Sequence, residues 1–353
     1  MINNGQRNAD PVTCNSAGLD MFAAGDPVAA ETLLRQAYKL MADEPGILVN
    51  LGLALMQQGR VEPAERCYRI ALNSPDIKCR RSAAKNLGFL LLWKGKFDEG
   101  WHWHGQRFAE EAFLQNQWRG DPLKGQTLTI WNDVGMGDAF QFVRYTLPLI
   151  KRGERVRWAV DASQINIFRQ RLAWPLNEVV NRSQVDRNQG EHIPLMSLIP
   201  LLDIDTSWGR NFRQNTWTNQ DKSERSQIGI CWASNPNDQT MHAYKSSTPE
   251  RLMLQHQSMN PKLPLLSLQT DEHEAHQKIG LIGPSRNWLD TLDRISQCQK
   301  VISVDTAVTH LAGGAGCQVE LWLGNPPDWR WRQFPGLTAM WHKHLTVHPL
   351  KPD

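Results

Sequence analysis

An arm of helical hairpins followed by two α/β lobes is the architecture this sequence predicts. Three observations carry that expectation. Small residues recur at a spacing of 34 through the first part of the chain. An apolar strand at 127–131 runs through a glycine turn into an amphipathic segment. A second strand start lies at 228–232, and a third strand ending in Val304-Asp305 leads straight into a helix.

At 353 residues the chain exceeds one typical core, so two or three domains are expected. Apolar residues make up 41% and charged residues 21%, ordinary values for a globular protein. No run approaches the ~18 apolar residues of a membrane span. Met1 to Pro11 is polar and holds no apolar signal core. The cysteines, at 14, 67, 79, 231, 298 and 317, form no C-x-x-C pair, and Cys67 and Cys231 sit inside apolar patterns. Reduced, packed thiols and a cytoplasmic location are expected. A net charge of +3 is mild, and basic residues such as Arg80, Arg81, Lys151 and Arg152 are dispersed without an aromatic stacking module. Nucleic acid is therefore not an expected partner. The fifteen tryptophans are read as packing residues rather than carbohydrate platforms.

The repeats come first in the chain. Gly18 pairs with Gly52, Gly25 with Gly59, Ala30 with Ala64 and Ala37 with Ala71, each 34 residues apart. Small residues let paired helices approach, and the second glycine of each unit lets the chain turn. A third unit follows two residues out of phase, with Gly88, Gly95 and Gly100. The pattern resembles the tetratricopeptide repeat over residues 13–108. Such an arm either presents a concave surface to a partner or braces the next domain.

After a linker from Phe108 to Gly125, strands are expected at 127–131, 155–160, 228–232, 264–268, 300–305 and 319–323, and one helix over 138–153. The β–turn–α–β order indicates parallel sheets. Two lobes are drawn at 126–217 and 226–340, with a ligand cleft between them.

Three turns bear chemistry. In Val134-Gly135-Met136-Gly137-Asp138 the glycines allow close backbone approach and a helix start offers free N–H groups to an anion. Asp138 there caps the helix or takes a proton from an acceptor. In Asp305-Thr306-Ala307-Val308-Thr309-His310 a strand end meets a helix start, where open α/β sheets place ligands. His310 stands four residues after Thr306 on one helix face. The third turn is Trp232-Ala233-Ser234-Asn235-Pro236, with Lys245-Ser246-Ser247 downstream. Its small polar residues suit phosphate oxygens, and Lys245 suits a leaving diphosphate or simple solvation.

Taken in order, WNDVGMGDAFQFVRY, IGICWASNP with its basic-Ser pair, SLQ at 267–269, VDTAVTHLAG and PDWRW at 327–331, all after helical repeats, are recognisable. Together they resemble bacterial tetratricopeptide-containing glycosyltransferases whose catalytic region is similar to the ADP-heptose:lipopolysaccharide heptosyltransferases (glycosyltransferase family 9-like, GT-B fold). That resemblance implies two Rossmann-like lobes, an N-terminal acceptor lobe and a C-terminal donor lobe. It implies Asp138 as general base and Lys245 as the donor-phosphate contact. It implies a donor site of Ser234, Asn235, Asp305, Thr306, Ala307 and His310, with Gln269 and Asp271 toward the nucleoside. On the acceptor side it implies Gly135, Met136, Gly137 and Gln141. The relatives usually carry Arg-Ser where this chain has Lys245-Ser246, and the N-terminal lobe here is short.

The expected activity is an inverting transfer from a nucleotide sugar to a protein or glycan hydroxyl, with the repeats as one candidate surface for the acceptor. No cofactor is expected beyond the nucleotide sugar. No metal is expected either, because no D-x-D pair stands at a strand end and no His/Cys cluster has ligand spacing. The alternative is a catalytically degenerate scaffold or binding protein.

Overall fold

The computed structural model describes residues 10–202, 212, 214–218, 225–237, 242, 244–255, 263–270, 281, 283–332 and 341–350. By internal contacts the chain divides into two compact units. One comprises Met1–Glu110, Asn235–Tyr244 and Gly324–Arg332; the other comprises Glu111–Ser234, Lys245–Leu323 and Gln333–Asp353.

In the first unit six helices pair as three hairpins: α1 (Pro11–Ala23) with α2 (Pro27–Leu40), α3 (Pro45–Gln57) with α4 (Val61–Ala71), and α5 (Ile77–Trp93) with α6 (Phe97–Gly105). Their starts are written in the sequence. Asp10, Asp26 and Asp76 accept backbone N–H groups of the first turns, and Pro11, Pro27 and Pro45 open their helices. Gly25, Gly59 and Gly95 make the inter-helix turns at φ of 84°, 70° and 78°, the left-handed region that favours glycine. Gly18, Gly52 and Gly88 are contact points: a methyl group there would collide with Leu34, with the Tyr68 ring and with the backbone of His104. The third repeat is out of phase because α5, with 17 residues where α1 and α3 have 13, carries its glycine deeper in the helix, an offset that the shorter α4 (11 residues against 14 in α2) only partly cancels.

One repeated feature escaped the sequence reading. Glu31 accepts from Arg35 and Arg60, and one repeat later Glu65 accepts from Arg69 and Lys94. Burial pushes the Glu31 carboxyl up, but hydrogen bonds from Arg35, Gln58 and Arg60 outweigh it and hold the group below its usual range.

The second unit holds two wholly parallel sheets. The first has β1 (Thr127–Trp131), β2 (Arg155–Val160), β3 (Glu178–Asn181) and β4 (His192–Pro194) in the order β3-β2-β1-β4. The second has β5 (Gln227–Cys231), β6 (Leu265–Ser267), β7 (Cys298–Val304), β8 (Gln318–Leu323) and β9 (Leu345–Pro349) in the order β6-β5-β7-β8-β9. β1, β5 and β8 are buried on both faces, as central strands of parallel sheets are. Strand order reverses between β1 and β4, and again between β5 and β7. Crevices at the carboxyl ends of such strands are where doubly wound sheets bind ligands.

The single helix expected over 138–153 is instead broken. α7 (Met136–Phe142) passes through a 3₁₀ turn, Val143–Tyr145, into α8 (Thr146–Lys151). Pro148 explains the break. It has no N–H for the Arg144 carbonyl, and its ring would clash there in a continuous helix. Most tryptophans are buried, Trp158 and Trp217 among the largest fully buried side chains, as packing residues would be. All six cysteines are buried and none forms a disulfide. Among the described residues no helix is long and apolar enough to cross a membrane.

Candidate functional site

Both order reversals carry one of the predicted turns. After β1, Asn132 (2% exposed) braces the glycine turn. Its Nδ2 donates to the carbonyls of Val134 and Gly135 at 3.2 and 3.1 Å, and its Oδ1 accepts the Val134 N–H. Asp138 lies in the first turn of α7, where its Oδ2 accepts the Gly135 N–H at 3.0 Å. That bond caps the helix and fixes the direction of the carboxylate at once. The Met136 carbonyl accepts from Gln164 Nε2 at 3.0 Å. Gln141, expected on the acceptor side, is wholly buried, and its side-chain amide has no hydrogen-bond partner among the described residues. It is not brought to the outer face of the turn, because its side chain points into the packed interior.

After β7, Asp305 and Thr306 lead into the helix Ala307–Gly314, numbered α13 after α9 (Ile165–Arg171), α10 (Leu195–Leu201), α11 (Pro249–Gln255) and α12 (Trp288–Gln297). Thr306 is its N-cap residue yet makes no side-chain cap. Its Oγ1 sits instead 3.4 Å from Ser303 Oγ and 3.6 Å from Cys231 Sγ. Thr309 secures the start by donating from N to the Thr306 carbonyl and from Oγ1 to the Val304 carbonyl.

After β5, the segment carrying Lys245 is laced onto the strand end. Ser234 N donates to Ser246 Oγ at 3.0 Å, and Ser247 N donates to the Trp232 carbonyl at 2.8 Å. This places Lys245 Nζ 2.6 Å from Asp305 Oδ2, with the two side chains 22% and 11% exposed. Two residues singled out separately, sixty positions apart, thus meet at the carboxyl edge of the second sheet.

The first turn then closes on the second. A methyl group on Gly137 would stand 3.1 Å from His310 Cδ2 and 3.2 Å from Ala307 Cα. Glycine therefore lets the start of α7, with Asp138 on it, lie against the start of α13. His310 is 4% exposed, with its Nδ1 3.3 Å from His342 Nε2. Burial first, then the charges of Arg144 and His310, hold His342 well below the ordinary histidine range, so it is neutral at pH 7.

Other expectations fall elsewhere. Gln269 is 7% exposed, and its Oε1 accepts from Ala233 N at 3.2 Å and Cys231 Sγ at 2.8 Å, so it supports the β5 turn from beneath. Asn235 belongs to the repeat-bearing unit, where its Oδ1 accepts the Asn237 N–H. Asp271 lies outside the described residues. Sequence reasoning missed Asn132 and His342. Asn132 had a signal, a strand-end Asn before a glycine turn; His342 had none, standing in a stretch without a motif.

Residues 21–78 match the tetratricopeptide repeat family model. No curated protein matches the chain by sequence. Among solved structures the chain is similar to an O-GlcNAc transferase mutant of Thermobaculum terrenum, at 13% identity and a TM-score of 0.33 over 90% of this chain and 76% of that one. It is similar to the E. coli heptosyltransferase WaaC with ADP, at 12% identity and a TM-score of 0.41 over 64% of this chain and 93% of that one. It is also similar to a glycosyl transferase of family 9 from Veillonella parvula, at 7% identity and a TM-score of 0.41 over 65% and 88%.

Proposed function

We propose that the α/β unit is an inverting, metal-independent glycosyltransferase that moves a sugar from a nucleotide-sugar donor to a protein or glycan hydroxyl. The observation that carries the reading is the Lys245–Asp305 pair, held at 2.6 Å beside a helix start that no side chain caps. A cation next to backbone N–H groups at a strand-order reversal is a place for phosphate oxygens. Asp305 holds the ammonium in position. Lys245 and the N-terminus of α13 take up charge on the departing diphosphate, which leaves with the electron pair of the anomeric C–O bond. Asp138, aimed by the Gly135 N–H, accepts the acceptor's hydroxyl proton. The acceptor oxygen attacks the anomeric carbon opposite the leaving group, so the configuration inverts. Among the described residues no three His, Cys, Asp or Glu side chains group to hold a metal ion. The proposal assigns the phosphate charge to Lys245 and the helix start. The repeats supply the docking surface of a protein acceptor, and the buried thiols fit a cytoplasmic setting.

The test is thermal stabilisation of the full chain by ADP-, UDP-, GDP- and CMP-linked sugars, with Lys245→Ala and Asp305→Ala as controls. A shift with one nucleotide class, lost in both controls, is expected. Absence of any shift, with and without candidate acceptors, overturns the reading in favour of a non-catalytic scaffold. Asp138→Asn is expected to abolish turnover while leaving the donor shift in place; turnover equal to the parent removes Asp138 as the base.

A further inference from the structure

At the opposite end of α13 from that chemistry lies a cavity of about 280 Å³. Its lining includes Arg144, Thr216, Asn215, Arg225 and Lys343 around the Gly313–Gly316 turn. Arg144 is 1% exposed. Its Nε donates to the Gln141 carbonyl at 2.7 Å, its Nη1 donates to the Trp341 carbonyl at 2.8 Å, and the Phe212 ring centre lies 5.0 Å from its guanidinium carbon. No carboxylate pairs with it among the described residues, and its Nη2 makes no hydrogen bond among them. Burial lowers the guanidinium only to about 10, so it remains charged at neutral pH. A charged group removed from water without a counter-ion is costly, and proteins keep one where something compensates it. In the same lining the buried Thr216 Oγ1 has no hydrogen-bond partner among the described residues. Arg225 and Lys343 are exposed and add two further cations. None of the described lining residues is acidic.

We propose that this cavity binds a phosphate-class anion, with Arg144 Nη2 and Thr216 Oγ1 as buried donors and Arg225 and Lys343 at the mouth. Donors converging from several elements suit the tetrahedral oxygens of phosphate, either free or as the terminal group of a small phosphorylated metabolite. The occupant neutralises Arg144 and so stabilises the joint between α7 and α8, where Arg144 ties the Gln141 and Trp341 carbonyls. The proposal stands independently of the transferase reading, because none of its residues takes part in that chemistry.

The test titrates inorganic phosphate into the full chain at constant ionic strength, with chloride as the replaced ion, by calorimetry and thermal melting. Saturable one-to-one binding with a rise in melting temperature is expected. Thr216→Val and the pair Arg225→Ala/Lys343→Ala are each expected to weaken binding by about tenfold or more. Arg144→Met is expected to abolish it, and if that variant does not fold, the other two carry the test. Lys245→Ala separates this cavity from the donor site and is expected to leave phosphate binding unchanged. A small sugar phosphate run in parallel distinguishes the sources: tighter binding than inorganic phosphate names the metabolite, equal or weaker binding the free ion. The proposal is overturned if phosphate stabilises no more than chloride. It is equally overturned if binding persists in the Thr216 and mouth variants or disappears in Lys245→Ala.

Discussion

The Lys245–Asp305 pair permits a test that separates holding the fold from binding a donor. Lys245→Met, Asp305→Asn and the double variant form a thermodynamic cycle. At 2.6 Å, and with the side chains 22% and 11% exposed, the pair is mostly out of water. Removing one partner leaves the other charge poorly solvated. Breaking a fully buried pair costs about 3–5 kcal/mol, and residual solvent here brings the expectation to about 2–3 kcal/mol for each single variant. Removing both charges leaves nothing uncompensated. The double variant is therefore expected to lose less than the sum of the singles, with a coupling of about 1–3 kcal/mol. Thermal melting reads the stabilities, and melting with the stabilising nucleotide sugar reads the donor site. Recovered stability together with a donor shift lost in all three variants is the expected result. Additive losses would mean that the ion pair does not form in solution. A double variant with a full donor response would refute any role for Lys245 in holding the phosphate.

Three further outcomes follow from the packing. Gly137→Ala adds a methyl group 3.2 Å from the Ala307 backbone, which cannot swing aside; overpacking is expected to cost about 1–2 kcal/mol after the gain in helix propensity, while activity falls by about a hundredfold as Asp138 moves relative to α13, and unchanged turnover would refute the required approach. His104, fully buried with neither ring nitrogen bonded, is held well below its ordinary value of 6.5 by burial and then by Arg107, Lys85 and Arg330; the folded form binds fewer protons than the unfolded chain, so stability is full above pH 6.5 and falls below it by up to about 1.4 kcal/mol per pH unit, a slope that His104→Phe is expected to reduce in a pH series of melts. Glu31 is held below its ordinary 4.5, so its contribution is present above that pH and lost as pH falls through the lower folded value; Glu31→Gln is expected to cost about 1–2 kcal/mol at pH 7 and to flatten the acid limb, measured by melting from pH 7 to pH 3.

What was legible in the sequence divides along a physical line. Period and strand-end chemistry are local and survive reading in one dimension. Gly18, Gly52 and Gly88 are glycine because a partner helix crosses each at contact distance, and that requirement recurs with the repeat. Strands β1, β2, β5, β7 and β8 are five residues or longer and largely buried, enough for an apolar pattern to register. β4 has three residues, one of them the buried His192, while β3 and β9 are partly exposed and mixed in composition. β3 and β4 are too short for a pattern to register, and β9, though five residues long, has no fully buried position to impose one.

The candidate site follows the same division. Lys245 and Asp305 were identifiable separately because each stands beside a strand end, and the parallel sheet then brings the ends of β5 and β7 side by side. His342 was not identifiable, because its role exists only through its contacts. It packs against the Gly313 backbone and faces His310 from a stretch with no motif of its own. Arg144 was hidden for a related reason. In a helical pattern an arginine at that position reads as a solvated face, and only the break that Pro148 imposes turns it inward to the Gln141 and Trp341 carbonyls. A charge that sequence pattern assigns to solvent, and that the fold instead buries with no counter-ion among the described residues, marks a place where local rules yield to another demand. For Arg144 that demand is the anion its cavity has the donors to hold.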